Sequence, residues 1–147
     1  ENIFIPSSDK DKAEENAQAY EKLITDHQID LQLLGIGTNG HIGFNEPGAS
    51  FDGKTDIVDL TSETIEANSR YFEGNKDLVP TQAISMGIGS IMRAKKIILI
   101  ASGQNKAEAI KGLVEDKITE DLPASVLRNH PDVTLVLDKE AASLLSK

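Results

Sequence analysis

The chain has 147 residues, which is enough for one domain with a sizeable hydrophobic core and too few for two ordinary domains. Its net charge of −9 argues against binding nucleic acid through a basic surface, although two local cations can still hold a small anion. The absence of cysteine excludes disulfides and thiolate chemistry, and no apolar run is long enough to cross a membrane. Because the chain starts at Glu1 rather than at Met, we expect it to be part of a longer protein.

The N-terminal third predicts a strand, a helix and a second strand. Residues 3–5 are typical of a short strand, and apolar residues at helical spacing predict a helix from about 11 to about 27, capped by Ser8 or Asp9. The continuous apolar run at 29–36 is typical of a strand that is buried on both faces. Strand, helix and strand in this order imply a right-handed crossover and a parallel sheet.

The middle of the chain predicts shorter elements. Residues 57–58 are predicted to be extended, and a helix is expected to begin at Asp59 or Thr61 and to run towards Arg70. The apolar spacing within 83–92 favours another helix, although two internal glycines weaken that prediction.

The C-terminal third contains the clearest strand, the apolar run 97–101. A helix is expected over 105–114, with Ala107, Ile110 and Val114 directed inward. Three more elements are predicted: a short helix from Pro123 to Leu127, a strand over 133–137 and a terminal helix over 139–145. The alternation of strands and helices predicts a single α/β domain spanning residues 1–147.

The glycine-rich stretch 33–48 is the candidate active site. Its glycines are interleaved with Asn39, His41, Asn45 and Glu46, and they let the backbone come close to a ligand just beyond a predicted strand. A histidine beside an amide and a carboxylate can take and give a proton near neutral pH, with the carboxylate holding its tautomer. The alternative is a loop histidine bonded only to backbone; the glycine-rich context favours the functional role.

A dinucleotide site is the other interpretation of this stretch. Residues 35–40 have the G-x-G-x-x-G spacing, but that signal alone is weak and should open a helix. The following segment, 42–48, contains two glycines and a proline and does not predict a helix, so we reject the dinucleotide interpretation. The 3 histidines lack the spacing of metal ligands, and we therefore expect neither a cofactor nor a metal.

Arg70 and Lys106 are the candidate anion-binding cations. Lys106 follows a predicted strand-to-helix turn, where backbone N–H groups and an ammonium group together favour an anion. Spacing alone would leave both residues as solvated surface cations.

Residues 35–47 closely resemble the signature of the glucosamine-6-phosphate deaminases, in which the block Phe-Asn-Glu-Pro at 44–47 is specific. The related phosphogluconolactonases share the strand and the Gly-His part but not this block. The resemblance implies a Rossmann-like α/β fold, an open, mostly parallel twisted sheet with helices on both faces. It continues through 67–72, 79–80, 83–89 and 102–106.

The resemblance also implies an activity, the conversion of glucosamine 6-phosphate and water into fructose 6-phosphate and ammonia in cytoplasmic amino-sugar catabolism. His41 would be the acid and base that opens the sugar ring, and Arg70 and Lys106 would hold the phosphate. Asn39 and Glu46 would tune and orient His41. Some members of the family carry Asp where this chain has Asn39, so Glu46 would supply most of the charge that stabilises protonated His41.

Two departures from the family qualify this hypothesis. The family's enzymes begin with a further α/β segment that carries another phosphate-binding loop and the aspartate that moves a proton between C1 and C2. We therefore expect the isomerisation base upstream of Glu1, and an association of this chain with that N-terminal portion. Asp56 and Val58 replace basic residues of an allosteric site, so activation through that site is not expected. The sequence does not indicate an oligomeric state. The alternative functions to a deaminase are a phosphosugar lactonase or a non-catalytic sugar-phosphate-binding module.

Overall fold

A computed structural model describes residues 2–146 of the chain as an α/β fold. Within that range the strands are β1 (Leu31–Leu34), β2 (Asp56–Asp59), β3 (Gln82–Ser85), β4 (Lys96–Ala101) and β5 (Val133–Leu137). The α-helices are α1 (Ala13–Asp26), α2 (Ser62–Ser69), α3 (Ile88–Ile91) and α4 (Ala107–Glu115). Short 3₁₀ helices span Lys10–Lys12, Lys76–Leu78, Gln104–Lys106 and Pro123–Asn129.

A parallel sheet of β1, β4 and β5 forms the centre of the fold, with β4 in the middle. On one face of β4, Ile97 and Leu99 are fully buried and join a core that includes Ile110 and Leu113 of α4. The carboxyl ends of three parallel strands therefore lie along one edge, and the loops that follow them can share a site.

A second, antiparallel sheet consists of β2 and β3, which pair from Asp56↔Ser85 to Asp59↔Gln82. Helix α1 contacts both of these strands and α3. The carboxylate of Glu21 on α1 connects the three elements by accepting hydrogen bonds from Thr55, just before β2, and from Ser90 on α3. The fold thus carries β2, α2 and β3 as an insertion between β1 and β4.

Most of the predicted elements are confirmed. Helix α1 lies within the predicted 11–27, and Asp9 caps the 3₁₀ turn that leads into it. Thr61, rather than Asp59, is the N-cap of α2. The predicted strands at 57–58, 97–101 and 133–137 correspond to β2, β4 and β5, and Pro123 begins a short 3₁₀ helix.

The predicted strand at 3–5 is wrong. Ile3 and Ile5 are 75% and 80% exposed, and none of the described strands pairs with this segment. A strand needs a neighbour for its backbone hydrogen bonds, so the apolar run alone does not create one. The right-handed crossover inferred from it is therefore also wrong, and the parallel sheet arises from β1, β4 and β5 instead.

The prediction that 29–36 is buried on both faces is also wrong. Leu31 and Leu33 of β1 are 52% and 60% exposed, and Ile100 of β4 and Val136 of β5 are each 49% exposed. These four side chains lie on one face of the parallel sheet, which we call the open face. Parallel strands are normally covered on both faces, so the open face carries unusual apolar exposure.

Three other predictions fail for local reasons. The predicted helix at 83–92 divides into β3 and the shorter α3, because pairing with β2 outweighs the helical spacing. A Cβ on Gly87 would lie 2.2 Å from the backbone oxygen of Gly53, and this close approach separates the two elements. Residues 139–144 form successive turns rather than a helix, and Val114 is 36% exposed, with Leu113 inward instead.

Candidate active site

The glycine-rich loop after β1 places the imidazole of His41 against its own backbone. A Cβ on Gly37 would lie 2.4 Å from His41 Nδ1, so only glycine leaves room for the ring. The N–H of Gly37 donates to the carbonyl of His41 at 2.9 Å, and Gly40 turns the chain with a φ of 83°. Ile42 is completely buried and anchors the loop in the core. Consistent with the rejection of a dinucleotide fingerprint, the segment after Gly40 contains no helix before α2.

The three predicted catalytic side chains meet in this loop. Glu46 Oε2 lies 3.2 Å from His41 Nδ1 and accepts a hydrogen bond of 2.7 Å from Asn39 Nδ2. The backbone N–H of His41 donates to Asn39 Oδ1 at 3.2 Å. Because a carboxylate accepts, the arrangement assigns the Nδ1 proton to the His41–Glu46 bond and leaves Nε2 free to take a proton.

The other oxygen of Glu46 is held by the start of α2. Thr64 Oγ1 donates to Glu46 Oε1 at 2.7 Å, and Thr61 Oγ1 lies 3.3 Å from the same atom. Burial disfavours the charged form of Glu46, but the hydrogen bonds from Thr64 and Asn39 and the charge of His41 outweigh it, so the pKa lies below its usual value. Glu46 is therefore a fixed negative charge behind the imidazole.

A cavity of about 470 Å³ opens in front of His41. It collects side chains from the glycine-rich loop, from α2 and from the segment after β4, so two adjacent strands contribute their carboxyl-end loops. His41, Asn39, Arg70 and Lys106 line it, whereas Glu46 lies behind His41. The structure thus brings all five predicted site residues to one place.

The two cations of the cavity differ in their surroundings. Burial lowers the pKa of Lys106, and among residues 2–146 neither Lys106 nor Arg70 has a carboxylate within ion-pair distance. Arg70 instead donates to the hydroxyl of Tyr71 at 3.0 Å and lies over its ring, 4.7 Å from the centroid. Both positive charges therefore remain available to an anion in the cavity.

Comparison with known proteins places this geometry in context. The family model for glucosamine-6-phosphate isomerases and 6-phosphogluconolactonases matches residues 1–136. The chain belongs to this family. The match confirms the broader family of the resemblance at residues 35–47, and it includes both deaminases and lactonases.

Curated relatives with high sequence identity to the chain are named as deaminases. Two Streptococcus pneumoniae proteins, from strain Hungary19A-6 and serotype 19F strain G54, are named glucosamine-6-phosphate deaminase and are 58% identical to the chain over 144 residues. The match covers 98% of this chain and 61% of each relative, so the chain spans less than two thirds of their length.

Solved structures support the fold of the family. A monomeric glucosamine-6-phosphate deaminase superposes with a TM-score of 0.92 at 50% identity, over 97% of this chain and 59% of that protein. A 6-phosphogluconolactonase from Trypanosoma cruzi superposes with a TM-score of 0.70 at 24% identity, over 97% and 56% of the two chains. The second likeness shows the fold alone. Together the two structures confirm the α/β fold class with its mostly parallel sheet.

Sequence reasoning missed several polar residues of this cavity. Thr64, Asn68, Ser102 and Asn105 line the cavity beside the predicted residues, and Thr61 was considered only as a helix cap. The one available signal was the Thr-x-x-Thr spacing at 61–64, which places two hydroxyls on the first turn of a helix. Nothing in the sequence shows that this turn packs against Glu46.

Metal-ligating side chains are not clustered in the described part of the chain. Within residues 2–146 no group of three or more His, Asp or Glu side chains is placed to hold a metal ion.

A second cavity of about 430 Å³ lies between residues 5–10 and the β2–β3 sheet, and its walls are mainly apolar. None of the described helices is long and apolar enough to span a membrane.

Proposed function

We propose that this chain carries the ring-opening half of a glucosamine-6-phosphate deaminase. The complete enzyme would convert glucosamine 6-phosphate and water into fructose 6-phosphate and ammonia, without a cofactor or a metal. The observation that carries the proposal is the juxtaposition of a Glu46-bound histidine with two cations that lack carboxylate partners, all at one cavity. The 58% identity to proteins named for this activity supports it.

His41 would act as the acid and base of ring opening. With its Nδ1 proton bonded to Glu46, neutral His41 can take the proton of the C1 hydroxyl on Nε2 and return a proton to the ring oxygen. The bond between C1 and the ring oxygen then breaks, and the open-chain aldehyde forms. Glu46 stabilises the imidazolium between the two transfers, and Asn39 holds the Glu46 oxygen that faces the imidazole.

Arg70 and Lys106 would bind the phosphate of the sugar. A sugar phosphate carries nearly two negative charges at neutral pH, which two cations can neutralise with charge-assisted hydrogen bonds. The partly buried ammonium of Lys106 would interact more strongly than an exposed one, because its surroundings screen it less. Arg70 would exchange its bond to the Tyr71 hydroxyl for one to the phosphate.

The isomerisation base would come from an additional N-terminal portion, with which this chain would associate. The proposal is supported by the 61% coverage of the relatives and by the open face with Leu31, Leu33, Ile100 and Val136. Strand β1 is also an edge of the described sheet, where a further strand can add. Burying an apolar face of this kind contributes roughly 25 cal/mol for each Å² removed from water.

The expected partner of the chain is a small molecule in the cytoplasm. The sugar phosphate would be the small-molecule partner, with no nucleic acid and no membrane, and the location would be cytoplasmic. The net charge of −9 supports the exclusion of nucleic acid. A phosphosugar lactonase is less well supported, because its solved representatives share only the fold with this chain.

Calorimetry and an ammonia-release assay with glucosamine 6-phosphate test the proposal. The chain alone should bind the phosphosugar, and ammonia release should require the N-terminal portion of a relative. His41→Gln should abolish release and retain binding, whereas retained release would contradict the role of His41. Hydrolysis of 6-phosphogluconolactone without ammonia release would favour the lactonase, and binding without any turnover by the assembled protein would favour a binding module.

A further inference from the structure

Asp138 connects the end of β5 to the cavity without lining it. It follows Leu137, the last residue of β5, and its side chain reaches the segment that follows the neighbouring strand β4. Its Oδ2 accepts a hydrogen bond of 2.6 Å from Ser102 Oγ and one of 2.9 Å from the backbone N–H of Gly103. Its Oδ1 accepts from the N–H of Ala141 at 2.7 Å. One carboxylate oxygen of Asp138 thus accepts a hydrogen bond within its own turn, and the other accepts hydrogen bonds from the loop that follows β4.

The loop that Asp138 holds carries part of the candidate phosphate site. Ser102, Asn105 and Lys106 line the cavity. Gly103 has a φ of 93°, and its carbonyl accepts a hydrogen bond of 3.1 Å from the N–H of Lys106. The conformation of Gly103 therefore sets the position of Lys106. An ionised carboxylate that accepts from the N–H of Gly103 fixes this left-handed conformation more firmly than a neutral acceptor would.

We propose that Asp138 is a positioning residue for the phosphate end of the site, which presents Lys106 to the anion by fixing the 102–106 loop. The inference rests on the proposed function of the same site. Asp138 is itself solvent-exposed and does not line the cavity, so its effect would pass through the loop. The carboxyl ends of β1, β4 and β5 would then all contribute, as His41, Lys106 and Asp138 respectively.

A purely structural role would give a different result. If Asp138 only stabilised the turn through Ala141, its loss would lower the stability of the fold without selecting phosphorylated ligands. If it positions Lys106, its loss should weaken binding of a phosphosugar and should have little further effect once Lys106 is removed. A double-mutant cycle measures this coupling directly.

The experiment compares Asp138→Asn with Asp132→Asn in the full 147-residue chain. Asp132 lies just before β5 and its exposed side chain is 3.7 Å from Lys96, so this control makes the same chemical change at the opposite end of the strand. Asp138→Asn keeps the size of the side chain but presents an amide with half the acceptor capacity and no charge. Calorimetry would use glucosamine 6-phosphate and, as the unphosphorylated probe, glucosamine. Hydrogen exchange would follow the backbone amide of Gly103.

Asp138→Asn should raise the Kd for glucosamine 6-phosphate roughly tenfold, because a displaced Lys106 would lose its charge-assisted contact with the phosphate. The weak affinity for glucosamine should not change, Gly103 should lose exchange protection, and Asp132→Asn should match the unmodified chain. In a Lys106→Ala background, Asp138→Asn should weaken binding by less than about twofold.

The results that overturn the proposal are distinct. Unchanged Gly103 protection, an unchanged phosphosugar Kd, or full additivity with Lys106→Ala would each refute the role of Asp138 and leave the proposed function intact. Failure of the unmodified chain to bind glucosamine 6-phosphate would refute the proposed function, and the role of Asp138 with it.

Discussion

At the scale of single residues, Glu46 organises the site. Its two oxygens face different parts of the molecule: Oε2 faces His41 and Asn39 of the same loop, and Oε1 faces Thr64 of α2. The donors around this one carboxylate favour its charged form despite burial. An Asp at position 39 would place a second carboxylate where Asn39 now donates, so Asn39 lets Glu46 remain ionised without a competing negative charge.

Glu46→Gln should lower turnover of the assembled enzyme by roughly a hundredfold or more, within the range of general acid–base effects. The neutral amide would no longer stabilise the imidazolium of His41, whereas the proposed phosphate contacts of Arg70 and Lys106 would be untouched. Steady-state ammonia release should therefore show a lower kcat with little change in KM. The exposed Glu140→Gln serves as the control, and an unchanged kcat in Glu46→Gln would contradict the pairing with His41.

Thr64→Val removes the hydroxyl that donates a hydrogen bond to Glu46 Oε1 and keeps the shape of the side chain. Because that hydrogen bond lowers the pKa of Glu46, its loss should raise the pKa. The charge on Glu46 is present above its pKa and disappears as the pH falls through it, so activity in Thr64→Val should decline at a higher pH than in the unmodified enzyme. A pH–rate profile measures this shift. Thr64→Ser restores a hydroxyl and should restore the profile; identical profiles for the Val and Ser variants would refute the role of the hydroxyl.

Lys106 gives a prediction at alkaline pH. Burial lowers its pKa, so its ammonium loses the proton at a lower pH than an exposed lysine does. Affinity for glucosamine 6-phosphate should therefore fall as the pH rises towards the usual range of lysine, and Lys106→Arg should remove that decline because guanidinium stays charged. Calorimetry from about pH 7 to about pH 10 would show it. The same decline in Lys106→Arg would assign it to another group.

At the scale of elements, the sequence predicts what depends on neighbours along the chain and misses what depends on distant ones. Helix α1 and strand β4 were predictable because cap, spacing and apolar run are local signals. Strand β3 was not, because Gln82–Ser85 becomes a strand only by pairing with β2, and the helical spacing of 83–92 carries no trace of that partner. The same limit applies to Glu21, whose partners Ser90 and Arg93 are far away in sequence.

Glu21→Gln should weaken the hydrogen bonds that connect α1 to β2 and α3 and should therefore destabilise the fold. Burial opposes the charge of Glu21, but hydrogen bonds from Arg93, Thr55 and Ser90 outweigh it and lower its pKa to about 2. Since the folded-state pKa is depressed, this stabilisation is present above the unfolded value and is lost as the pH falls towards 2. Urea denaturation at about pH 7 should show a loss of roughly 2 kcal/mol, as for hydrogen bonds to a charged group.

The difference between Glu21→Gln and the unmodified chain should shrink at about pH 3, where part of the stabilisation by the charge is already lost. Glu15→Gln, on the exposed side of the same helix, is the matched control and should change stability by less than about 0.5 kcal/mol. An equal loss under neutral and acidic conditions would show that the charge of Glu21 does not contribute.

At the scale of the whole molecule, the glycine-rich loop was predictable and its surroundings were not. Residues 35–47 reveal the position of His41 and Glu46, because glycine density and residue type are visible in the sequence. The contact of Thr64 with Glu46 arises only when α2 packs beside that loop, and the contact of Asp138 with Ser102 only when β5 pairs with β4. The open face shows the same limit: an apolar run predicts a buried strand, but it does not reveal what the strand is buried against.

Association with an N-terminal portion would bury the open face. Leu33 is 60% exposed, so Leu33→Lys should change the free energy of unfolding of this chain by no more than about 0.5 kcal/mol. The same lysine should prevent association with an N-terminal portion that buries the face, because an unpaired ammonium would lose its hydration there. Complementation with the part of the Streptococcus pneumoniae deaminase outside the matched region should therefore restore ammonia release to the unmodified chain and not to Leu33→Lys. Gln18→Lys, which adds the same charge on the exposed side of α1, should complement normally. Equal complementation by both variants would mean that the open face is not the surface on which the enzyme is completed.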